Sequence, residues 1–310
     1  MYRRHSRPEM LAAWDAEIST FKPDVLYLDH LDSTLYRPER FQHIPAVLDL
    51  HNVYSLLARR TGEEQANPLK RAFLRREAAL LDRIERRAAR TCSTLFAVSE
   101  LEAAHFRSLG AKAVYAIPNG VDCAAFAGLP TGRPASPPVI LFLGTMSWGP
   151  NAAAGKFLAE TVLPKLRQRV PEARVVIVGH NPPAELKTFH GKPGIEVTGS
   201  VPDVKPYFAG STMLAVPLDA GGGTRLKILE AFAAGLPVVS TAVGAEGIDV
   251  VPGTHFISAE RPEMADAIGE LLAEPLAASQ LAAAARRLAN EVYDWGRIGK
   301  RAVEVIRALV

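Results

Sequence analysis

The sequence predicts an α/β protein of two domains, each built on a parallel sheet, and three observations carry that expectation. The chain has 310 residues, enough for two cores at roughly 100–200 residues per domain. From Val139 onward short β-branched runs alternate with helical stretches, the pattern of strands covered on both faces by crossover helices. The segment GLPTGRPASPP, residues 128–138, is dense in proline and glycine and reads as a linker. The expected divisions are a first domain at 1–127, the linker at 128–138, a second domain at 139–292, and a closing helix at 293–310 that returns to the first domain.

In the first domain FKPDVLYLD (21–29), IPAVLDLHN (44–52), STLFAVSE (93–100) and AVYAIPNG (113–120) read as strands. Between the second and third lies a helical segment, 59–90, with ten basic residues against five acidic ones. Leu69, Phe73, Leu80, Leu81 and Ile84 give it an apolar face, so it can lie on an anionic membrane surface. Ser99 and Glu100 are placed to cap a helix over 100–108.

In the second domain PVILFLG (138–144) is the first strand, followed by a helix over 152–170. RVVIVG (174–179), IEVTG (195–199), TMLAVP (212–217) and PVVST (237–241) follow, each ending in Gly, Pro, Ser or Thr. Ligands of open parallel sheets bind beyond the carboxyl ends of strands, so these ends are where chemistry is expected. The last helix, 294–309, carries Trp295, Ile298, Val303 and Ile306 at helical spacing and should dock on an apolar surface.

Composition narrows the function classes. With 48% apolar and 22% charged residues the chain is neither disordered, collagenous nor a coiled coil. No apolar window approaches the ~20 residues that span a bilayer, and MYRRHSRPEM lacks a signal-peptide core, so a cytoplasmic protein is expected. A net charge of +3 gives no argument for nucleic acid. Cys92 and Cys123 have neither CxxC spacing nor a histidine partner, so no disulfide framework or zinc site is expected. The sequence contains no DxD triplet, and neither a metal nor a cofactor is expected.

The most informative stretch is PLDAGGGTRLKILEAFAAGLPVVST, residues 217–241. A strand ends at Pro217, three glycines allow close approach of backbone to a ligand, and a helix starting near Thr224 points unpaired amides at an anion. Arg225 and Lys227 then fall at the positive end of the helix dipole, a local cost that a bound phosphate would offset. Glu230 lies one to two turns in, on a helix whose Leu226, Leu229, Phe232 and Ala233 should face the sheet. A carboxylate there can accept hydrogen bonds from vicinal hydroxyls such as those of a ribose.

This segment resembles the donor-binding signature of the family 4 glycosyltransferases, retaining enzymes of the GT-B fold, in the variant GGGTRLKxLEAxAxGxPVVST. VSE (98–100), IPNGVD (117–122), GTMSWGPN (144–151), VVIVG (175–179), VTGSVPD (197–203) and YDW (293–295) match patterns of that family in the same order. The resemblance covers about residue 20 to the C-terminus. It implies two Rossmann-like domains facing a central cleft, a nucleotide-diphosphate sugar as donor, and a glycan or lipid-linked acceptor in envelope or exopolysaccharide assembly. Transfer would proceed with retention and without a metal. Within it, Glu230 would hold the ribose, and Gly222, Gly223, Thr224 and Arg225 would lie in the loop that holds the diphosphate and the sugar. Val201 would contact the base through its backbone, and Gly144 and Gly179 would end strands at the donor site. His51 would be the catalytic-side histidine near the donor sugar and acceptor, with Asn119, His180 and Lys156 as further cleft candidates.

Three departures from the family pattern matter. Gly222 stands where many members carry a glutamate, which leaves the donor sugar open. The loop GTMSWGPNAAAGK lacks the Arg and Lys that grip the diphosphate in many members, so Arg225 and Lys227 are expected to supply that charge, with Lys156 the weaker candidate. About 20 residues precede the first strand, so an incomplete first domain is expected, with nucleotide bound but sugar transferred slowly or not at all. A noncatalytic nucleotide-sugar-binding or partner protein and a sugar-nucleotide epimerase of the same fold remain as alternatives. The residues name neither the donor nor the acceptor.

Overall fold

The computed structural model describes residues 7–63, 65–132, 136–220 and 225–310. The chain divides into two compact units, Met1–Pro118 with Gly299–Val310, and Asn119–Ile298.

The first unit holds a parallel sheet of β1 (Leu26–Asp29), β2 (Ala46–Leu50), β3 (Thr94–Ala97) and β4 (Val114–Ala116), ordered as they occur in the chain. Between β2 and β3 run two helices, Tyr54–Glu63 and Pro68–Thr91. Asn67 starts the longer one by accepting hydrogen bonds from the amides of Leu69 and Lys70. Its inward row, including Leu81, Ala88 and Ala89, shares a core with Leu28, Leu48 and Leu95. The apolar face expected over 59–90 is therefore split, because a 24-residue helix shows different residues to core and solvent. Leu81 is buried and Ile84 half-buried, whereas Leu69 and Phe73 are 80% and 56% exposed. Ser99 caps the helix Glu100–Ser108 as expected, its Oγ accepting from the Glu102 amide at 3.2 Å.

The second unit holds a parallel sheet of β5 (Val139–Leu143), β6 (Arg174–Val178), β7 (Ile195–Val197), β8 (Met213–Val216), β9 (Val238–Ser240) and β10 (Ile257–Ser258). Its order is β10-β9-β8-β5-β6-β7. The chain thus lays β6 and β7 on one side of β5, then crosses back to place β8 on the other side, Ile140 opposite Met213. Loops leaving β5 and β8 consequently depart in opposite directions, which opens a crevice at their carboxyl ends. Phe142, Ile177, Leu214 and Phe232 are fully buried beneath it. β10, with two residues, is too short for its periodicity to be read in the sequence.

The units divide before the proline-rich segment, not within it. Residues 119–127 belong to the second unit, where Val121, Cys123 and Phe126 join the core. The Val121 amide donates to Tyr293 O at 2.8 Å, and the ring of Phe126 meets Phe208 edge-on at 5.5 Å. Proline density marks stiff chain, and here the packing changes hands earlier. The closing helix, Trp295–Arg307, joins the first unit from Gly299, as expected, but its apolar row is less covered than expected. Only Ile298 is buried, while Trp295 and Val303 are 49% and 45% exposed. The helix passes from one unit to the other after Ile298, so no single core covers its apolar row. Cys92 and Cys123 are buried free thiols, and burial pushes both up, Cys123 to about 11. Among the described residues no helix is long and apolar enough to cross a membrane.

Candidate functional site

At the carboxyl ends of β5, β6 and β7 the backbone itself is packed. The Gly144 amide donates to Val178 O at 3.0 Å, and the Gly179 amide donates to Gly199 O at 3.1 Å. A Cβ on Gly179 would lie 1.7 Å from Gly144 O, so no side chain fits there. Gly144 and Gly179 therefore let adjacent loops touch, and they form the floor of the crevice.

The helix Leu226–Ala233 rises from the other side of that crevice, after β8. It begins slightly later than expected, with Arg225 at its N-cap; Gly222, Gly223 and Thr224 lie outside the described residues. Its inward stripe is Ile228, Leu229, Phe232 and Ala233, and Leu226 is 46% exposed instead of facing the sheet. Lys227 reaches across to the β5 side. Its Nζ donates to Asn151 Oδ1 at 2.8 Å and lies 4.5 Å from the centroid of the Phe142 ring. Among the described residues no carboxylate lies within ion-pair distance of this ammonium. Loss of solvent, and secondarily the charge of Arg225, bring its pKa down to about 7, against the opposite pull of Glu230.

Taking an ammonium out of water costs several kcal/mol. One hydrogen bond from a charged donor returns about 1.5–3 kcal/mol, and a desolvated cation–π contact about 2 or more. With no carboxylate beside it among the described residues, the ammonium keeps a charge with which an anion in the crevice would pair. Arg225 is only 5% exposed, and its Nη2 donates to Val243 O at 3.3 Å. Burial lowers its pKa while Glu246 opposes the shift. Burial raises the carboxyl of Glu230, with Lys227 pulling it back down.

The start of the loop after β8 is held by groups that were not anticipated. Arg261 pairs with Asp219 at 2.5 Å and donates from Nε to Pro217 O at 3.0 Å. Thr241, in the PVVST strand end, donates to Leu218 O at 2.6 Å and accepts from the Gly244 amide at 2.9 Å. Of the remaining candidates, Val201 is half-buried against the core of the second unit, and Asn119 is half-buried at its start. His180 is exposed, with Nδ1 2.6 Å from Ser200 Oγ and Nε2 2.6 Å from Asn181 Nδ2. Lys156 is directed elsewhere, bonded to Glu185 and 3.9 Å from Glu160, so its charge is already neutralised.

In the first unit His51 follows β2, and Asp29 and His30 end β1 beside it. Asp29 Oδ1 lies 3.0 Å from His51 Nε2 and 2.8 Å from His30 Nδ1, and the two imidazoles stack at 4.2 Å. Ligand atoms of all three fall within 4.8 Å of one another, near enough to share a divalent ion. Asp29 and His30 were missed in the sequence, although the parallel endings YLDH and LDLH on neighbouring strands were the signal that could have found them. Beneath His51, burial lifts the carboxyl of Glu102 to about 7, while the amides of Val98 and Val53 and the charge of His51 pull it down.

Two family models match the chain, one described as Glycosyltransferase Family 4 over residues 2–125 and one as Glycosyl transferases group 1 over residues 137–274. The chain belongs to the family 4 glycosyltransferases. Among relatives within this assignment is the GDP-mannose-dependent alpha-(1-6)-phosphatidylinositol monomannoside mannosyltransferase of Mycolicibacterium smegmatis, 28% identical over 61% of this chain and 55% of that protein. The chain thus spans about half the length of the curated relatives it matches. Sucrose-phosphate synthase from Thermosynechococcus elongatus superposes with a TM-score of 0.72 at 18% identity, over 97% of this chain and 77% of the other. Anabaena HepE in complex with UDP-glucose gives 0.67 at 18%, over 97% and 82%. These likenesses put the fold of this family 4 chain in the GT-B class.

Proposed function

We propose that this chain transfers a sugar from a nucleotide-diphosphate sugar to a glycan or lipid-linked acceptor, with retention and without a metal. The observation that carries the reading is Lys227, a half-buried residue whose ammonium bonds Asn151 and, among the described residues, has no carboxylate partner, held at the switch point of the second sheet beside Arg225. A diphosphate supplies the missing anion, and as the glycosidic bond breaks Lys227 and Arg225 stabilise the charge that develops on the departing oxygen. That oxygen takes the acceptor proton on the same face of the sugar. Glu230 accepts from the ribose hydroxyls, and His51 orients the sugar and the acceptor. The relatives' printed donors, GDP-mannose and UDP-glucose, differ in base, so the donor is a UDP- or GDP-sugar.

The acceptor side is supported by the phosphatidylinositol-linked acceptor of the mycobacterial relative and by the exposed Leu69 and Phe73 on a helix rich in arginine. Together they favour a cytoplasmic protein held at the inner face of a membrane through 59–90. Calorimetric titration with UDP, GDP, uridine and guanosine tests the reading. One diphosphate should bind at least tenfold more tightly than its nucleoside. Equal affinity for nucleotide and nucleoside would remove the diphosphate from the site.

A further inference from the structure

Asn151 is the one side chain that touches the Lys227 ammonium with an acceptor among the described residues, and it is built in from two sides. It sits in the first turn of the helix Gly149–Phe157, 6% exposed. Its Oδ1 accepts from Lys227 Nζ at 2.8 Å, and its Nδ2 donates to Thr145 O at 3.0 Å. The opposed demands of an ammonium and a carbonyl fix which end of the amide faces which partner. Gly144 leaves room for the pair, since a Cβ there would stand 2.6 Å from Asn151 Nδ2 and 2.9 Å from Lys227 Nζ. Asn151 thus ties the turn after β5 to the segment after β8 across the crevice.

The identity of the side chain matters as much as its position. A carboxylate of the same shape would pair with the ammonium and cancel its charge. An amide holds it without cancelling it. The charged groups acting on Lys227 are Arg225 and Glu230, both from its own segment. Among the described residues the β5 side offers only the neutral Asn151 and the ring of Phe142.

We propose that Asn151 is a positioning residue, aiming the Lys227 ammonium at the diphosphate of the nucleotide while leaving its charge available; this rests on the reading of Lys227 given above. The lowered pKa of Lys227, about 7, agrees with an ammonium that no carboxylate pairs with.

The test uses the full chain with Asn151→Asp and Asn151→Ala, and two readouts. Carbon-13 resonances of the Lys227 side chain are followed against pH without ligand, and UDP, GDP, uridine and guanosine are titrated at pH 6, where the amine is charged. In Asn151→Asp the Lys227 titration should move upward and the diphosphate affinity should fall at least tenfold, with nucleoside affinity within about twofold. In Asn151→Ala the titration should move downward, with a loss of about tenfold that is again confined to the diphosphate. If the Ala variant unfolds, the Asp variant, being isosteric, carries the test. An unmoved Lys227 titration with equal losses for nucleotide and nucleoside overturns the inference, because a merely structural asparagine would behave that way. Failure of the unaltered chain to bind UDP or GDP overturns the diphosphate reading itself, and this inference with it.

Discussion

The two sheets end their strands in polar clusters of opposite design. In the first unit the strands follow one another in chain order, and Asp29, His30 and His51 satisfy one another at an edge open to water. Asp29 is 63% exposed and the two histidines 44% and 32%. In the second unit the order reverses at β5 and β8, and the half-buried charge at the reversal meets, among the described residues, one neutral acceptor. A cluster that is wet and internally matched can exchange partners at little cost. A desolvated charge with no opposite partner is relieved either by losing its proton or by taking up an anion. The first arrangement suits positioning of reacting groups, and the second suits tight capture of a phosphate.

Removing the buried charge should have the largest effect. Arg225→Ala combined with Lys227→Ala is expected to weaken UDP or GDP binding about 100-fold or more, two charged hydrogen bonds at about 1.5 kcal/mol each, with uridine and guanosine little changed. Parallel losses for nucleosides would erase the contrast between the two clusters. His51→Ala should lower the transfer rate about 100-fold while nucleotide affinity stays within about twofold, because histidine and nucleotide groups belong to different units. An unchanged rate would make the exposed cluster purely structural. Glu230→Ala should cost about 1.5–3 kcal/mol of nucleotide-sugar affinity by calorimetry with the fold retained.

Stability against pH sharpens the same comparison without a ligand. Lys227 is lowered in the folded chain to about 7, so it binds fewer protons there than when unfolded. Its stabilising share is present above the unfolded pKa near 10.4 and is lost as pH falls through about 7. Lys227→Met should therefore gain thermal stability over the parent as pH drops from 10 to 6, by roughly 1.4 kcal/mol for every tenfold by which folding weakens the proton affinity of the lysine. A constant difference across that window would mean the ammonium is not buried in solution. The smallest effect is expected at the surface. Leu69→Ser with Phe73→Ser should reduce sedimentation with anionic vesicles at low salt, and binding by the parent chain should fade as salt rises. Salt-independent sedimentation, or none, would remove the membrane from the picture.

Much of this was legible in the residues. Continuous runs such as VILFL and RVVIV can only be strands covered on both faces, since their apolar side chains point both ways. GGGTRLKILEA reads as an anion site because glycines, helix amides and basic residues at that spacing serve one chemistry, and Arg225 and Lys227 stand at the start of the helix that follows β8. Local patterning cannot set strand order, because order follows from which helices pack on which face. The reversal between β5 and β8 that makes the crevice was therefore decided in three dimensions. The same holds for partners distant in sequence. Lys156 looked available until Glu185 was brought to it, and Asn151 gained its meaning only when Lys227 arrived from 76 residues away. Asp29, at the end of the strand run FKPDVLYLD, and His30 after it were not singled out until β1 paired with β2 in a register that set them against His51. The sequence alone determined which residues could carry charge and which segments would be strands; the packing of those strands decided which charges were neutralised and which were left for a ligand, because desolvation and pairing depend on neighbours that the order of the chain does not specify.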